Sequence, residues 1–497
     1  MTHFPFALAL LLWPALSAVV GATVRSERVA HAVAVAATAA VIVTAGAAGA
    51  VYSMTGPLVQ FGSELIVVPG SLTLRLGLDG EAIVLVALLG VVAFATLVAM
   101  PRAELRRPDV LATLAVTGAG LLVAVSRDLA SFTAGWVAAL VPGTALVAGS
   151  RRPELAAEGL ALRRAHRALL AGASIPVIAA ASVLGVAACA GGRADPFALD
   201  PGVGSVLAPE WQRVVGVLLA LGVFVRTAVV PVHGWLPSLL ARGHASPVVV
   251  LASTPLGAVL LTRVVAPVLP AGASDVFPWI SWVSAVAAVV ASLLAGVQSD
   301  VRRVVAFVVA AQASMGLVGV ATCDVQGVTG GLLQSLTTGL SASGLVILSW
   351  ALVARTGTGD MGRLGGLLQE SPRLGALWFL LGLAMVGLPG TLGFIGEDLI
   401  TQGLLRAEPV QAALVVLATA LNAIAFFRAY ARVFLGPRST PTAGGPSLDL
   451  PDLLPRKRAV AFGLLVLVLG GGLYPQPVID LVATGYEAMT LGIGGHR

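Results

Sequence analysis

Two stretches decide how this chain folds: Val229-Val230-Pro231-Val232-His233-Gly234-Trp235-Leu236-Pro237 and Gly387-Leu388-Pro389-Gly390-Thr391-Leu392-Gly393. Each interrupts a long apolar run with helix breakers. Proline removes a backbone donor and clashes with the preceding turn, and glycine loosens the backbone. In hydrocarbon, the amides and carbonyls freed in this way must be satisfied by protein or by a polar cavity. The two stretches therefore predict discontinuous helices. They stand five spans apart, an odd number, so the second crosses in the opposite direction to the first. Paired broken helices in oppositely directed units point to a transporter with inverted repeats, the simpler alternative being a proline kink in each of two packed helices.

Outward from these breaks, apolar runs of about twenty residues recur from Phe4 to Leu473, each long enough to cross a hydrocarbon core. Spans are expected near 4–22, 29–48, 81–100, 109–126, 129–149, 168–190, 212–230, 246–268, 277–297, 303–323, 327–354, 374–405, 410–434 and 458–474. Only 11% of the 497 residues are charged, against about 25% in an ordinary soluble domain, and the mean hydropathy is +0.95. The expectation is an all-α membrane protein of about fourteen transmembrane helices. The first run has no Lys or Arg ahead of it, whereas Arg25 and Arg28 follow it. That polarity is wrong for a signal peptide and reads as a retained span.

The net charge of +6 does not point to nucleic acid, because the basic residues lie in short loops without aromatic interleaving. Most of them follow odd-numbered spans, as in Arg102, Arg106 and Arg107; in Arg151 and Arg152 with Arg163, Arg164 and Arg167; and in Arg456, Lys457 and Arg458. The positive-inside rule then places both termini outside the cytoplasm. Cys189 and Cys323 have no metal-ligand spacing, so neither metal nor cofactor is expected within the chain.

At the breaks the sequence resembles the antiporter-like membrane subunits of respiratory complex I and its relatives, most closely the NADH-quinone oxidoreductase subunit M type. The matching residues are Leu76-Gly77-Leu78-Asp79-Gly80, Val229 through Pro237, Asp300-Val301-Arg302-Arg303-Val304, Gly339-Leu340-Ser341-Ala342, Asp360-Met361 ahead of Gly365-Gly366-Leu367, and Leu388-Pro389-Gly390-Thr391 through Gly396-Glu397. They cover residues 70 to 435 in one order. The resemblance implies helices 1–3 over residues 1–108 and a five-helix unit, helices 4–8, over 109–268. An inverted second unit, helices 9–13, follows over 269–435, and a basic loop with helix 14 over 436–497. It also implies a line of polar residues at mid-membrane: a glutamate in span 5 paired with a lysine in span 7, a lysine in span 8, and a glutamate or lysine in span 12. Such subunits carry no redox centre.

A proton relay needs groups whose protonation states are close in energy. A buried lysine can serve, whereas arginine keeps its proton. The one lysine, Lys457, precedes span 14. Arg226 stands at the span 7 lysine position, Val137 at the span 5 glutamate position within Trp136 to Pro142, and Thr254 and Pro255 near the span 8 lysine position. In span 11, Thr337, Thr338 and Ser341 offer only hydroxyls. Glu397 matches the span 12 acid, and an intramembrane carboxylate is a functional candidate by default. Its neighbour Asp398 reads as a cap on the second half-helix. His233 lies in the first break, suited either to proton exchange or to bonding freed backbone. The candidate ion path is thus Arg226, His233, Glu397, Thr337, Thr338 and Ser341, with no catalytic residue.

The remaining ionisable groups carry weaker expectations. Asp79 with Glu81 and Arg127 with Asp128 fall at span ends, where snorkelling or a local pair suffices. His244 reads as solvated, and Asp300 with Arg302 and Arg303 as the cytoplasmic mouth of span 10. Arg263 either faces a partner or pairs within the bundle.

Three functions follow. The first is an antiporter-like, proton-translocating subunit of an NADH-quinone oxidoreductase or related complex, non-catalytic itself, moving protons or sodium with a degenerate relay. The second is a non-conducting membrane platform for a soluble partner. The third is the membrane chain of a paralogous hydrogenase, cation/proton antiporter or inorganic-carbon uptake complex. In each the partners are other membrane subunits, a soluble redox or catalytic partner and the lipid of a bacterial inner membrane, with no nucleic acid.

Overall fold

A computed structural model of the chain describes residues 5–55, 63–68, 72–100, 106–141, 156–192, 197–199, 203–242, 245–436 and 452–494. Among them, nine helices are long and apolar enough to cross a membrane, or up to eleven if two bent pairs each count as one span. The chain is a multi-span membrane protein.

The chain opens with α1 (Phe6–Thr23) and α2 (Glu27–Thr55). An antiparallel hairpin, β1 (Ser63–Val68) and β2 (Leu72–Leu76), follows; the all-helical expectation lacked it. Then come α3 (Gly80–Ala99), α4 (Arg107–Val125), the short α5 (Leu129–Leu140) and α6 (Ala156–Ala190). Arg163, Arg164 and Arg167 lie within α6, not in a loop, because the helix runs on past its apolar stretch. Arg102, Arg151, Arg152, Pro142 and His244 lie outside the described residues.

Both predicted breaks occur. The first separates α7 (Pro209–Thr227) from α8 (Trp235–Arg242). Ala228 turns left-handed at φ 59°, and the freed carbonyls are taken up locally. The Val229 amide donates to the Phe224 carbonyl at 2.9 Å, and the Trp235 indole Nε1 to the Val225 carbonyl at 2.7 Å. A tryptophan eight residues past the helix end thus satisfies backbone that lipid could not.

A third break, absent from the expectation, divides the eighth span at Thr254 and Pro255. Helices α9 (Ala245–Ser253) and α10 (Leu256–Val268) meet there at 48°. Proline disfavours helical geometry in the residue before it, which accounts for the position of the bend. Further along α10, Leu261–Val265 forms a π-helical turn.

Next come α11 (Pro270–Val297), α12 (Val301–Val320) and the 32-residue α13 (Val325–Thr356). The other predicted break lies between α14 (Pro372–Met385) and α15 (Leu392–Leu405), ahead of α16 (Pro409–Phe434). Gly387 and Gly390 take φ values of +76° and +90° in this break, a region open to glycine at no steric cost. After α17 (Pro455–Leu473) the chain bends by 74° into α18 (Gln476–Gly494), a helix absent from the expectation. Lys457 lies in the first turn of α17, not in a loop, and is buried.

Helix α13 is the spine of the molecule. It packs against α3, α9, α12, α14, α15, α17 and α18, and nearly every residue from Gly327 to Leu352 is buried. Only such an enclosed helix can carry a run of hydroxyls and an amide through the bilayer. On the other flank, α14 is fastened to α16 by aromatic contacts, with Trp378 stacked on Phe426 at 4.6 Å between centroids and Phe379 tilted against Tyr430 at 4.6 Å.

Gly382 abuts the Phe426 ring, with no room for a β-carbon. Gly382→Ala should therefore cost about 1–3 kcal/mol through overpacking. Gly296→Ala, at a position with open space around it, should change stability by no more than about 1 kcal/mol, in the stabilising direction. Thermal unfolding of the detergent-purified variants checks both, and equal destabilisation would contradict this packing.

Candidate functional site

The polar interior is assembled from α7 outward. Arg226 sits one residue before the end of α7, only 4% exposed. Its Nη1 donates to the Leu251 carbonyl at 3.0 Å, capping the last turn of α9. Among the described residues, Nε and Nη2 have no hydrogen-bond partner. Arg226 lines a cavity of about 40 Å³ together with Ser253, Thr254, Ser335 and Thr338. Val137 is half-buried on α5 and apolar, so that helix supplies no counter-charge there.

From this cavity, α13 carries polarity toward the second break. Thr338 donates to the Gln334 carbonyl at 2.7 Å, and the Gln334 Nε2 donates to Gln312 Oε1 on α12 at 2.5 Å. The Gln312 amide reaches toward Glu397. Glu397 lies in α15, 9% exposed, against Gly387 of the break. The Thr419 hydroxyl on α16 donates to its Oε2 at 3.0 Å, while Oε1 is without a partner among the described residues. Asn422, one turn further along α16, is fully buried with both amide atoms unpartnered there. Buried polar atoms without partners are costly, and among the described residues Arg226, Glu397 and Asn422 each carry them.

The predicted path residues divide accordingly. Arg226 and Thr338 share the cavity, and Glu397 lies at the far end of the amide pair. Thr337 is buried, with its hydroxyl on the Leu333 carbonyl and its methyl beside Gly393 of the break. The Ser341 hydroxyl is buried and without a partner among the described residues. His233 is not among the cavity's lining residues; its ring packs on Phe307 at 5.3 Å between centroids. Asp398 is not a cap. Helix α15 begins at Leu392, and Asp398 lies exposed further along it, accepting from Gln402 at 2.7 Å. Gln312 and Gln334 were missed because glutamine does not titrate. The available signal was an amide in the middle of two apolar spans.

A second polar cluster brings together residues that the sequence left apart. The outgoing strand of the hairpin pairs with the turn between α4 and α5: the Arg127 amide donates to the Arg75 carbonyl at 2.8 Å, and the Gly77 amide to the Val125 carbonyl at 2.8 Å. This fixes Asp79 as the N-cap of α3, accepting from the Ala82 amide at 2.7 Å. Asp79 then pairs with Arg127 at 2.7 Å and with the buried Arg263 at 2.5 Å. Glu81 accepts from the Thr262 hydroxyl at 2.7 Å and lies 4.0 Å from Arg263. The wide π-helical turn lets the consecutive Thr262 and Arg263 face the same cluster. Asp79, Glu81 and Arg127 therefore do not snorkel: two acids and two guanidiniums neutralise one another inside the bundle.

At the opposite end of α11, Asp300 caps α12 and binds Arg302 at 2.8 Å. Burial alone would raise its carboxyl, but the hydrogen bonds and charge of Arg302 hold it below the usual carboxylate range. The Val301 amide donates to the Gly359 carbonyl at 2.9 Å, which ties the Asp300 and Asp360 motifs into one loop contact.

Set beside known proteins, residues 126–422 match the family described as NADH:quinone oxidoreductase/Mrp antiporter, transmembrane. The NADH-quinone oxidoreductase subunit M of Pseudomonas aeruginosa is 32% identical over 292 residues, 57% of this chain and 55% of the relative. The NAD(P)H-quinone oxidoreductase chain 4 of Synechococcus sp. is 27% identical over 435 residues, 84% of this chain and 76% of the relative. The chain spans about half the length of the subunit M relatives it matches. In fold it is similar to a chain of respiratory complex I from Thermus thermophilus with bound NADH, at a TM-score of 0.82 and 24% identity. That match covers 99% of this chain and 100% of the other. It is likewise similar to a chain of the Mrp complex from Dietzia sp. DQ12-45-1b, at a TM-score of 0.83 and 19% identity, with coverage of 99% and 100%.

Removing one partner from a buried ionic cluster strands the others. Arg263→Met should destabilise the chain by about 3–5 kcal/mol, and Arg263→Met with Asp79→Leu by much less. A double-mutant cycle on thermal unfolding measures the difference, and additive losses would mean that the two residues are not coupled.

Proposed function

The chain belongs to the NADH:quinone oxidoreductase/Mrp antiporter transmembrane family, and from that membership we propose that it is an antiporter-like, proton-translocating subunit of a membrane complex related to NADH-quinone oxidoreductase. In this reading fourteen helices comprise three N-terminal helices over 1–108, two inverted five-helix units over 109–268 and 269–435, and helix 14 over 436–497. Support comes from the two broken helices and from the likeness in fold. The chain supplies no redox chemistry. It works beside other membrane subunits and a soluble redox partner in a bacterial inner membrane, with both termini on the non-cytoplasmic side.

One observation carries the reading: Glu397 is buried directly after the second break, with one carboxylate oxygen unpartnered among the described residues, and the Gln312–Gln334 amide pair lies between it and the hydroxyls of α13. A carboxylate held in the bilayer interior by a single hydroxyl can change its protonation without breaking an ion pair. The path runs from Glu397 through Gln312, Gln334 and Thr338 to the Arg226 cavity, with Thr337 and Ser341 flanking it. His233 stands aside as a break residue packed on Phe307.

A second reading rests on Arg226. A guanidinium keeps its proton where an amine would exchange it, and Val137 supplies no acid beside it. The first unit then holds a fixed charge, and the chain acts as a membrane platform.

Reconstitution of the full chain, with whatever subunits co-purify, into liposomes holding a pH-sensitive dye separates the two. Conduction through the second unit predicts proton flux above protein-free leak, and Glu397→Gln should bring it down to that leak. Flux indistinguishable from leak in the unaltered chain would sink the conduction reading. In the platform case, Arg226→Lys combined with Val137→Glu should create flux, and no gain would contradict the assignment of these two positions.

A further inference from the structure

A charge in a bilayer interior is retained only when something nearby opposes it. The Asp79–Glu81–Arg127–Arg263 cluster meets this condition within the chain, since two carboxylates face two guanidiniums. Arg226 does not. It is equally buried, yet among the described residues its one hydrogen bond goes to a backbone carbonyl, and no carboxylate pairs with it. Neutralisation by loss of a proton, open to a lysine, is closed to arginine.

The surroundings of Arg226 are shaped to supply the missing charge from outside. Arg226, whose Nε and Nη2 are unpartnered among the described residues, lines a cavity of about 40 Å³. By the measure under which one water needs about 10–15 Å³, it holds about three water-sized particles. Ser253, on the cavity wall, is buried with its hydroxyl unpartnered among the described residues, and so is free to donate. Thr254, Ser335 and Thr338 already donate their protons to backbone carbonyls, so they have no O–H left for an anion, and as neutral acceptors they cannot cancel the charge of the guanidinium. Thr227 also lines the cavity, and the remaining lining, including Trp235, Ala258, Val309 and Leu317, is apolar. A small enclosure that presents N–H donors from a permanent cation and one free O–H is chemically an anion receptor.

We propose that this cavity binds one small monovalent anion, a halide or bicarbonate, held by Nε and Nη2 of Arg226 and the hydroxyl of Ser253, as the counter-charge of the buried guanidinium. Water alone would hydrate Arg226 without cancelling its field. The site does not depend on whether the chain conducts protons, because it follows from the charge and the cavity.

Anion linkage to stability tests this. The full chain is melted in detergent with sodium chloride, bromide or bicarbonate, each against sodium gluconate at equal ionic strength, gluconate being too large for the cavity. A saturating rise in Tm of about 2 °C or more in a small anion is expected. The rise should vanish in Arg226→Met, weaken in Ser253→Ala and persist in Arg226→Lys. Stabilisation by the halides or by bicarbonate supports the site, and the stronger of the two identifies its occupant. A Tm equal in all four salts, or a rise retained in Arg226→Met, overturns it. Should Arg226→Met fail to fold, bromide-soaked crystals of the unaltered chain decide. An anomalous peak against Arg226 supports the proposal, and a cavity without one refutes it.

Discussion

Inside a bilayer, a polar group has no water to fall back on, so every break in a helix and every buried charge must be answered by the protein itself. This constraint organises the whole chain. At the first break Trp235 gives its indole N–H to the Val225 carbonyl. At the second, the Thr391 hydroxyl donates to the Leu388 carbonyl at 2.7 Å. Beside the β-hairpin, four charged side chains from α3 and its cap, the α4–α5 turn and α10 cancel one another. Among the described residues, the buried charge of Arg226 is not answered by an opposite one.

The consequence is an asymmetry between the two halves of the polar interior. On the α15 side, Glu397 is held by Thr419 and approached by Gln312, all uncharged neighbours. On the α7 side, a guanidinium faces hydroxyls and a small cavity. The buried α13 runs between them and offers Gln334, Ser335 and Thr338 on neighbouring turns. In the proposed role, a proton moving along this helix meets a carboxylate at one end and a positive charge at the other. In the proposed role, the field of Arg226 therefore governs what passes, and anything that screens it changes the barrier.

Much of this was legible in the sequence, for identifiable reasons. The breaks were readable because proline and glycine cannot continue the helices that apolar runs of this length require, and Glu397 because a carboxylate after such a break is costly unless used. The reading of Arg226 and Val137 as standing at titratable positions rests on the resemblance and the chemistry of arginine alone. Other features were hidden. Asp79 and Arg263 are 184 positions apart, so each looked like an isolated charge at a span end. Gln312 and Gln334 drew no notice as neutral amides. The hairpin over residues 63–76 and the helix after Tyr474 lie outside the strongly apolar spans, where hydropathy is silent. Pro255 was noted for what it replaced, and its bending of α9 against α10 followed only from the backbone.

The central claim is that Arg226 carries an unchanging positive charge in the membrane interior. Nitrogen-15 NMR of arginine-labelled chain in lipid nanodiscs, with the Arg226→Lys variant to assign the signal, tests it most directly. The account predicts that the Arg226 guanidinium resonance stays at its protonated position from mildly acidic to mildly alkaline pH. A resonance that titrates across that range would show a group able to give up its proton, and the asymmetry described above would fall with it.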